Sequence, residues 1–175
     1  MEIDKKEMAA LLLTEFHVYI ESGFDHRFSH EDHLGNVDMY ISLHDKEDIH
    51  AVALLIKKHN GRVVTITPYV VDKGFEIAYH FDAYGIVITV TLLTEDSSVD
   101  SITSNLKSAD WTEREMQGLF NIKLLGHPNP DRLILDEKMA QGIFKEYMTL
   151  SDAMTGAATN TLWERINEAK GEQDG

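Results

Sequence analysis

Apolar positions along the chain recur with two periods, near 3.6 and near 2, and the switches between them mark the elements. Ile3, Met8, Leu11, Leu12 and Phe16 fall at about helical spacing. Asp4 is placed to cap this helix, with Glu7 three residues on as an acidic variant of the capping box. The helix spans residues 4–14. The next stretch, Phe-His-Val-Tyr-Ile at 16–20, is rich in β-branched and aromatic residues and reads as a first strand. Residues 21–36 are polar, contain two glycines and read as a loop. Residues 37–43 alternate apolar and polar, the mark of a half-buried strand. Acids at 45–48 then suit a helix start, and Ile49, Val52, Ala53, Leu55 and Ile56 give that helix its apolar stripe. Lys57, Lys58 and His59 suit its negative C-terminal end, and Gly61 stops it.

Three strands follow closely. The first, 62–71, carries Pro68, which belongs at a sheet edge or a bulge. In 75–81 the residues Phe75, Ile77, Tyr79 and Phe81 share one face, and 84–93 follows after a short turn as the second arm of an antiparallel hairpin. Residues 94–98 form a loop, helical segments cover 99–106 and 111–120, and 121–137 are extended and irregular around Gly126, Pro128 and Pro130. Residues 138–150 are weakly helical, and Leu162, Trp163 and Ile166 suit one short docking helix near the end. The order α β β α β β β α predicts an α/β (α+β) fold. It has a mixed, largely antiparallel sheet with helices packed on it, plus an extended C-terminal arm. Residues 1–137 make the α/β domain, and 138–175 make an arm expected to be ordered by partner contacts.

Charge narrows the functions open to such a fold. The 175 residues hold 16 Lys plus Arg against 30 Asp plus Glu, a formal charge of −14. Phosphate backbones and anionic lipid surfaces are bound by clustered bases, so nucleic acid and direct membrane binding are disfavoured. There is no cysteine, which excludes thiolate nucleophiles, Cys-ligated zinc and iron–sulfur clusters carried by this chain. The longest apolar run, Ala51 to Ile56, is far short of the roughly 20 residues a membrane helix needs. The N-terminus has no apolar signal core, so a cytoplasmic location is expected.

Nucleotide-binding glycine patterns, a P-loop, a nucleophile elbow and a zinc-protease motif are all missing from the sequence. Two segments remain as candidate chemistry. His26, His30 and His33 lie close together with Glu31 and Asp32, and read either as incidental histidines in a solvated acidic loop or as metal ligands. His80 is expected on the exposed face of its strand. The second segment runs from Ser108 to Ile122. Asp110 and Glu113 form a capping pair there, and Trp111, Glu115, Met116, Leu119 and Phe120 form a stripe. Glu115 lies in that stripe and is expected to be buried with a partner, and Arg114 is flanked by Glu113 and Glu115. By spacing alone this is an amphipathic helix with surface ion pairs.

The segment Ala-Asp-Trp-Thr-Glu-Arg-Glu at 109–115, Leu-Phe-Asn-Ile at 119–122 and Gly-His-Pro-Asn-Pro-Asp-Arg at 126–132 carries a resemblance as well. It resembles the signature of the complex I 30 kDa subunit family, the C subunits of NADH dehydrogenase. That family includes the matching subunits of membrane-bound energy-converting nickel–iron hydrogenases. The strands at 62–67 and 75–81 and the Ser101-Ile-Thr103 stretch are also similar, so the likeness covers about residues 37–135. Three positions depart from the pattern. Gly118 stands where the family has Asp, Asn121 where it has Gly, and Asp131 where it has the first base of a basic pair, while Arg132 keeps the second. The loss of an acid at 118 and a base at 131 suggests that the two positions face each other or one partner patch.

The resemblance implies a cofactor-free hydrophilic subunit that docks on the large catalytic subunit of a redox complex, beside iron–sulfur subunits. The nickel–iron centre, iron–sulfur clusters or quinone belong to those partners, and this subunit reaches the membrane only through them. It implies no catalytic residue here. Trp111, Glu113, Arg114, Glu115, Phe120, Gly126, His127, Pro128 and Arg132 become the motif and interface residues. The resemblance also implies that Arg114 is desolvated between carboxylates. The competing readings are a free-standing His-loop metal-binding protein and a general acidic interaction module.

Overall fold

The computed structural model describes residues 4–19, 27–135 and 141–142. Helix α1 spans Lys5–Phe16, and the Asp4 carboxylate accepts from the Lys6 amide at 2.9 Å, the predicted cap. Its buried stripe is Ala9, Leu12 and Phe16. Phe16 therefore completes a helical face and does not begin a strand. His17–Tyr19 continue as a 3-10 turn, because burying the ring under the sheet outweighs the local β preference.

The main sheet has five strands in the order β1-β2-β5-β4-β3. They are β1 (Arg27–Glu31), β2 (Val37–Ser42), β3 (Arg62–Val71), β4 (Gly74–Ala83) and β5 (Ile86–Thr94). Three neighbouring pairs are antiparallel, and β2 runs parallel to β5 with Asp38 opposite Val87 and Ser42 opposite Thr91. The sheet is mixed and largely antiparallel, as expected. Strand β1 lies inside the segment predicted as a loop. Its five residues, Arg-Phe-Ser-His-Glu, hold one apolar side chain, too few for alternation to show. Asp32 ties the hairpin turn by accepting from the Leu34 and Asn36 amides. The opposite edge is β3, which contains Pro68 and a bulge between Val63 and Thr65.

One face of the sheet forms the core. Val37, Met39 and Ile41 of β2, Phe75, Ile77, Tyr79 and Phe81 of β4, and Ile86, Ile88, Val90 and Leu92 of β5 are all buried. Helices α1 and α2 (Ile49–Lys58) contribute to the same cluster, α2 with Ile49, Val52, Ala53 and Ile56. The chain leaves α2 through Asn60, left-handed at φ +54, after which the Gly61 amide donates back to the Ile56 carbonyl at 2.8 Å. Gly61 has no room for a side chain, since a Cβ there would meet the Asp82 carbonyl at 2.9 Å and Ile56 Cγ2 at 2.8 Å. His80 is on the opposite face but half-buried, not exposed. It bridges Thr67 at 3.3 Å and Thr89 at 3.0 Å, and burial lowers its pKa.

The predicted helix at 99–106 is absent. Ser98–Asp100 form β6, which pairs in parallel with β7 (Lys123–Leu125), a strand inside the segment predicted as irregular. Two three-residue strands are too short for a period to show. A 3-10 turn, Lys107–Ala109, then leads into α3, Asp110–Phe120.

Asp96 sets the entry to β6. Its carboxylate receives Lys46 Nζ at 2.6 Å, the Thr94 hydroxyl at 2.7 Å and both the hydroxyl and the amide of Ser98. Lys46 first, then these hydrogen bonds, holds its pKa far below the usual 3.8. A depressed carboxylate stabilises the fold fully above its unfolded pKa and loses that contribution as pH falls through its folded value. Asp96→Asn is expected to melt at a lower temperature than the parent at neutral pH. The gap between the two should close as the pH is lowered from about 4. Melting curves across an acid series check this, and a constant gap would contradict it.

Candidate functional site

The motif residues meet around α3. Its inward stripe is Ala109, Glu113, Met116 and Phe120, at i, i+4, i+7 and i+11. Glu113 and Met116 are buried, and Phe120 packs edge to face on Phe75 at a centroid distance of 6.3 Å. This stripe is out of phase with the predicted one. Trp111, which would begin the predicted stripe, is 68% exposed, and Glu115 is exposed where burial was expected. The buried acid is Glu113, with 0% exposure. Asp110 is the first residue of α3 and makes no cap bond, so the predicted capping pair does not form.

Glu113 is solvated by the protein. One carboxylate oxygen accepts from the Ser101 hydroxyl at 2.6 Å and the Thr103 hydroxyl at 2.7 Å, and the other accepts from the Ile102 amide at 2.7 Å. These donors come from the turn after β6, so the acid joins α3 to that turn. Three such bonds replace water around a buried charge.

His127, in the turn after β7, closes the cluster. Its Nδ1 accepts from the Asn129 amide at 3.0 Å. The Thr103 hydroxyl gives its proton to Glu113, so it can only accept from His127 Nε2 at 3.2 Å. The hydrogen-bond network thus assigns the neutral ring with the proton on Nε2. Nε2 also lies 3.4 Å from Asp110 Oδ1 and 3.6 Å from Glu113 Oε2. Asp110 Oδ1 and the Tyr79 hydroxyl are buried without a hydrogen bond. Burial first, then the charges of Glu113 and Asp100, pushes the Tyr79 pKa well above 10.

Arg114 holds residues 126–132, the motif arm, which precedes the predicted C-terminal arm at 138–175 in the chain. Its side chain is largely buried; Nε donates to the Asp131 carbonyl at 2.8 Å and Nη2 to the Arg132 carbonyl at 3.4 Å, with Asp110 Oδ1 at 3.8 Å from Nη1. It is desolvated as expected, but chiefly by backbone carbonyls and not between Glu113 and Glu115. Gln117 Nε2 adds a bond to the Pro130 carbonyl at 2.8 Å. Segment 126–132 therefore lies along α3, with Gly126 at φ +73, His127 buried, Pro128 exposed and Arg132 half-buried.

Gly118 and Asp131 both border this contact, with different neighbours. Gly118 faces Leu135, and its carbonyl accepts from the Gly142 amide at 2.9 Å. Asn121 caps the helix in the left-handed region at φ +55. A methyl on Gly118 would sit 3.8 Å from Leu135, an ordinary contact. Gly118→Ala is accordingly expected to stabilise the protein by about 0.5–1 kcal/mol through helix propensity, read as a raised urea midpoint. A lowered midpoint would show that α3 has no room there.

Among the described residues no group of three or more His, Cys, Asp or Glu is placed to hold a metal ion. Both oxygens of Glu113 are already committed. His30 lies on β1 and His33 in the following turn, while His26 lies outside the described residues. Among the described residues no helix is long and apolar enough to cross a membrane.

The model of the family described as respiratory-chain NADH dehydrogenase, 30 Kd subunit, matches residues 43–152. The chain belongs to this family. The C subunit of NADH-quinone oxidoreductase from Citrifermentans bemidjiense is 33% identical over 81 residues, which are 43% of this chain and 50% of that one. The C/D subunit of NADH-quinone oxidoreductase from Psychrobacter cryohalolentis is 33% identical over 103 residues, 55% of this chain and 17% of that one. The chain thus matches half or less of these relatives. Two solved structures share the fold. A trypsin-resistant fragment (1-134) of Nqo5 has a TM-score of 0.50 at 20% identity, covering 69% of this chain and 97% of that one. A chain of the membrane-bound sulfane sulfur reductase, an archaeal respiratory membrane complex, has a TM-score of 0.60 at 13% identity, covering 86% and 89%. The matched residues include β3, β4, β5 and α3 and carry the whole cluster around Glu113.

Proposed function

We propose that this chain is a cofactor-free scaffolding subunit of a complex I-type, energy-converting redox complex, peripheral to the membrane on its cytoplasmic side. It docks on the large catalytic subunit, and neighbouring subunits hold the iron–sulfur clusters and the nickel–iron or quinone site. The composite C/D name of the Psychrobacter relative carries this reading. That name belongs to one polypeptide of which the matched segment is only 17%. Joining two units in one polypeptide is tolerated when they are neighbours in the working assembly.

The geometry supports the same reading. Glu113 and Arg114 of α3 are engaged in holding hydroxyl and backbone groups. Trp111 is left projecting beside them, and a rigid exposed aromatic is the usual anchor of a protein interface. The acid excess lies elsewhere, with eight acids and two bases between residues 21 and 50.

Affinity isolation of the tagged chain from its native cells, followed by mass spectrometry, tests the proposal. A large redox subunit is expected in the eluate. Trp111→Ala should weaken its recovery by about tenfold or more while the circular dichroism is unchanged. Recovery of the native chain as a partner-free monomer would overturn the reading.

A further inference from the structure

Tyr84 occupies the tip of the β4–β5 turn at φ +58, followed by Gly85 at φ +72. Turns of this kind favour Asn or Gly at the first position, and a bulky residue in the left-handed region is strained. Strain of this sort persists where the surroundings hold it, and here the holding groups are chemical. The Tyr84 hydroxyl lies 3.2 Å from Nδ1 of His59, at the end of α2. Nε2 of the same ring lies 3.0 Å from Oε2 of Glu15, near the end of α1. An ionised carboxylate only accepts, so in the neutral ring Nε2 carries the hydrogen, Nδ1 holds the lone pair, and the phenol donates to it. Lys58 fixes the other oxygen of Glu15 at 2.9 Å. His59 is buried, whereas Tyr84 is 37% exposed. Lys5 reaches the same turn, its ammonium 3.5 Å from where a Cβ on Gly85 would stand.

A hydroxyl, an imidazole and a carboxylate in this order form the arrangement that activates an oxygen nucleophile. The phenol is the outermost member and the most open of the three to a reagent. We propose that Tyr84 is an acyl-acceptor site, an activated tyrosine that takes an acyl group from a small activated acyl donor. The phenolic O–H bond breaks and its proton passes to His59 Nδ1, while Glu15 stabilises the imidazolium. The new bond joins the Tyr84 oxygen to the acyl carbon. The donor's leaving group departs with the bonding pair and takes the proton back from His59. This goes beyond the scaffolding role and does not rest on it.

N-acetylimidazole is the probe, with the products acetyl-tyrosine and imidazole. With no cysteine in the chain, thiols cannot compete, and hydroxylamine separates O-acetyl from N-acetyl groups. Tyr69, 47% exposed on β3, is the internal control. Peptide mapping is expected to show Tyr84 acetylated about tenfold or more faster than Tyr69. In His59→Gln and in Glu15→Gln the Tyr84 rate should fall towards that of Tyr69, with the Tyr69 rate unchanged. Equal rates in the parent protein would overturn the proposal, and this comparison needs no variant to fold. A Tyr84 rate unaltered by His59→Gln would also overturn it.

Discussion

Glu113→Ala is expected to destabilise the protein by about 3–5 kcal/mol, the largest effect of any single change at the site. The reason is the donors left behind. The Ser101 hydroxyl, the Thr103 hydroxyl and the Ile102 amide all point at this carboxylate in a region without solvent access. Each stranded donor costs about 1–3 kcal/mol, partly recovered by relaxation and by water entering the space left by the side chain. Thr103 would also be free to turn its proton elsewhere, which loosens His127. Glu113→Gln separates charge from shape. Its amide oxygen can serve Ile102, but its NH2 then meets two hydroxyls that must rotate to accept. A loss of about 1–3 kcal/mol follows. Urea unfolding followed by circular dichroism gives both values from the midpoint at constant slope. A Glu113→Ala midpoint within error of the parent would show that the carboxylate carries none of this load.

Burying an acid in an apolar stripe is the point at which pattern reading fails. On α3 the apolar residues Trp111, Met116, Leu119 and Phe120 suggest one phase, and the structure selects another, defined by Ala109, Glu113, Met116 and Phe120. A hydrophobicity pattern ranks Trp inside and Glu outside. The fold does the reverse because three fixed donors replace the water around the acid. Those donors come from residues 101–103, and only the folded chain brings them to α3. Strands β3, β4 and β5 were legible because each is long, rich in β-branched or aromatic residues and borders a short turn, and β4 and β5 also alternate. Strand β1 was not, since its Arg-Phe-Ser-His-Glu run holds one apolar side chain, and β6 and β7 were not, since three residues are too few for a period to show. The resemblance to the family supplied what spacing could not, namely that α3 and the turn at His127 belong together. It did not say which acid is buried or what Arg114 holds.

What Arg114 holds is open to direct test, because its bonds end on the chain of the arm itself. The guanidinium serves the carbonyls of Asp131 and Arg132 at once and approaches Asp110 on a third edge. Only a planar fork does this, so lysine is not an equivalent. Arg114→Ala removes two charge-assisted bonds and is expected to lower the stability of the arm by about 2–3 kcal/mol. Gln117 keeps one bond to Pro130, and β7 remains paired with β6. Opening should therefore be local, confined to the segment after His127, with the sheet intact. Trypsin reads it, since Arg132 is a cleavage site lying next to the anchored carbonyls. In fast exchange the rate of cutting follows the open population, and about 2–3 kcal/mol corresponds to a roughly 30- to 150-fold faster cut at Arg132. Arg114→Lys, able to serve one carbonyl at a time, should fall between. Amide exchange in β4 and β5 should stay at the parent's level in both variants. If Arg132 is cut at the parent's rate in Arg114→Ala, the arm is held by something other than this side chain. If β4 and β5 also lose protection, Arg114 supports the whole fold and not the arm alone.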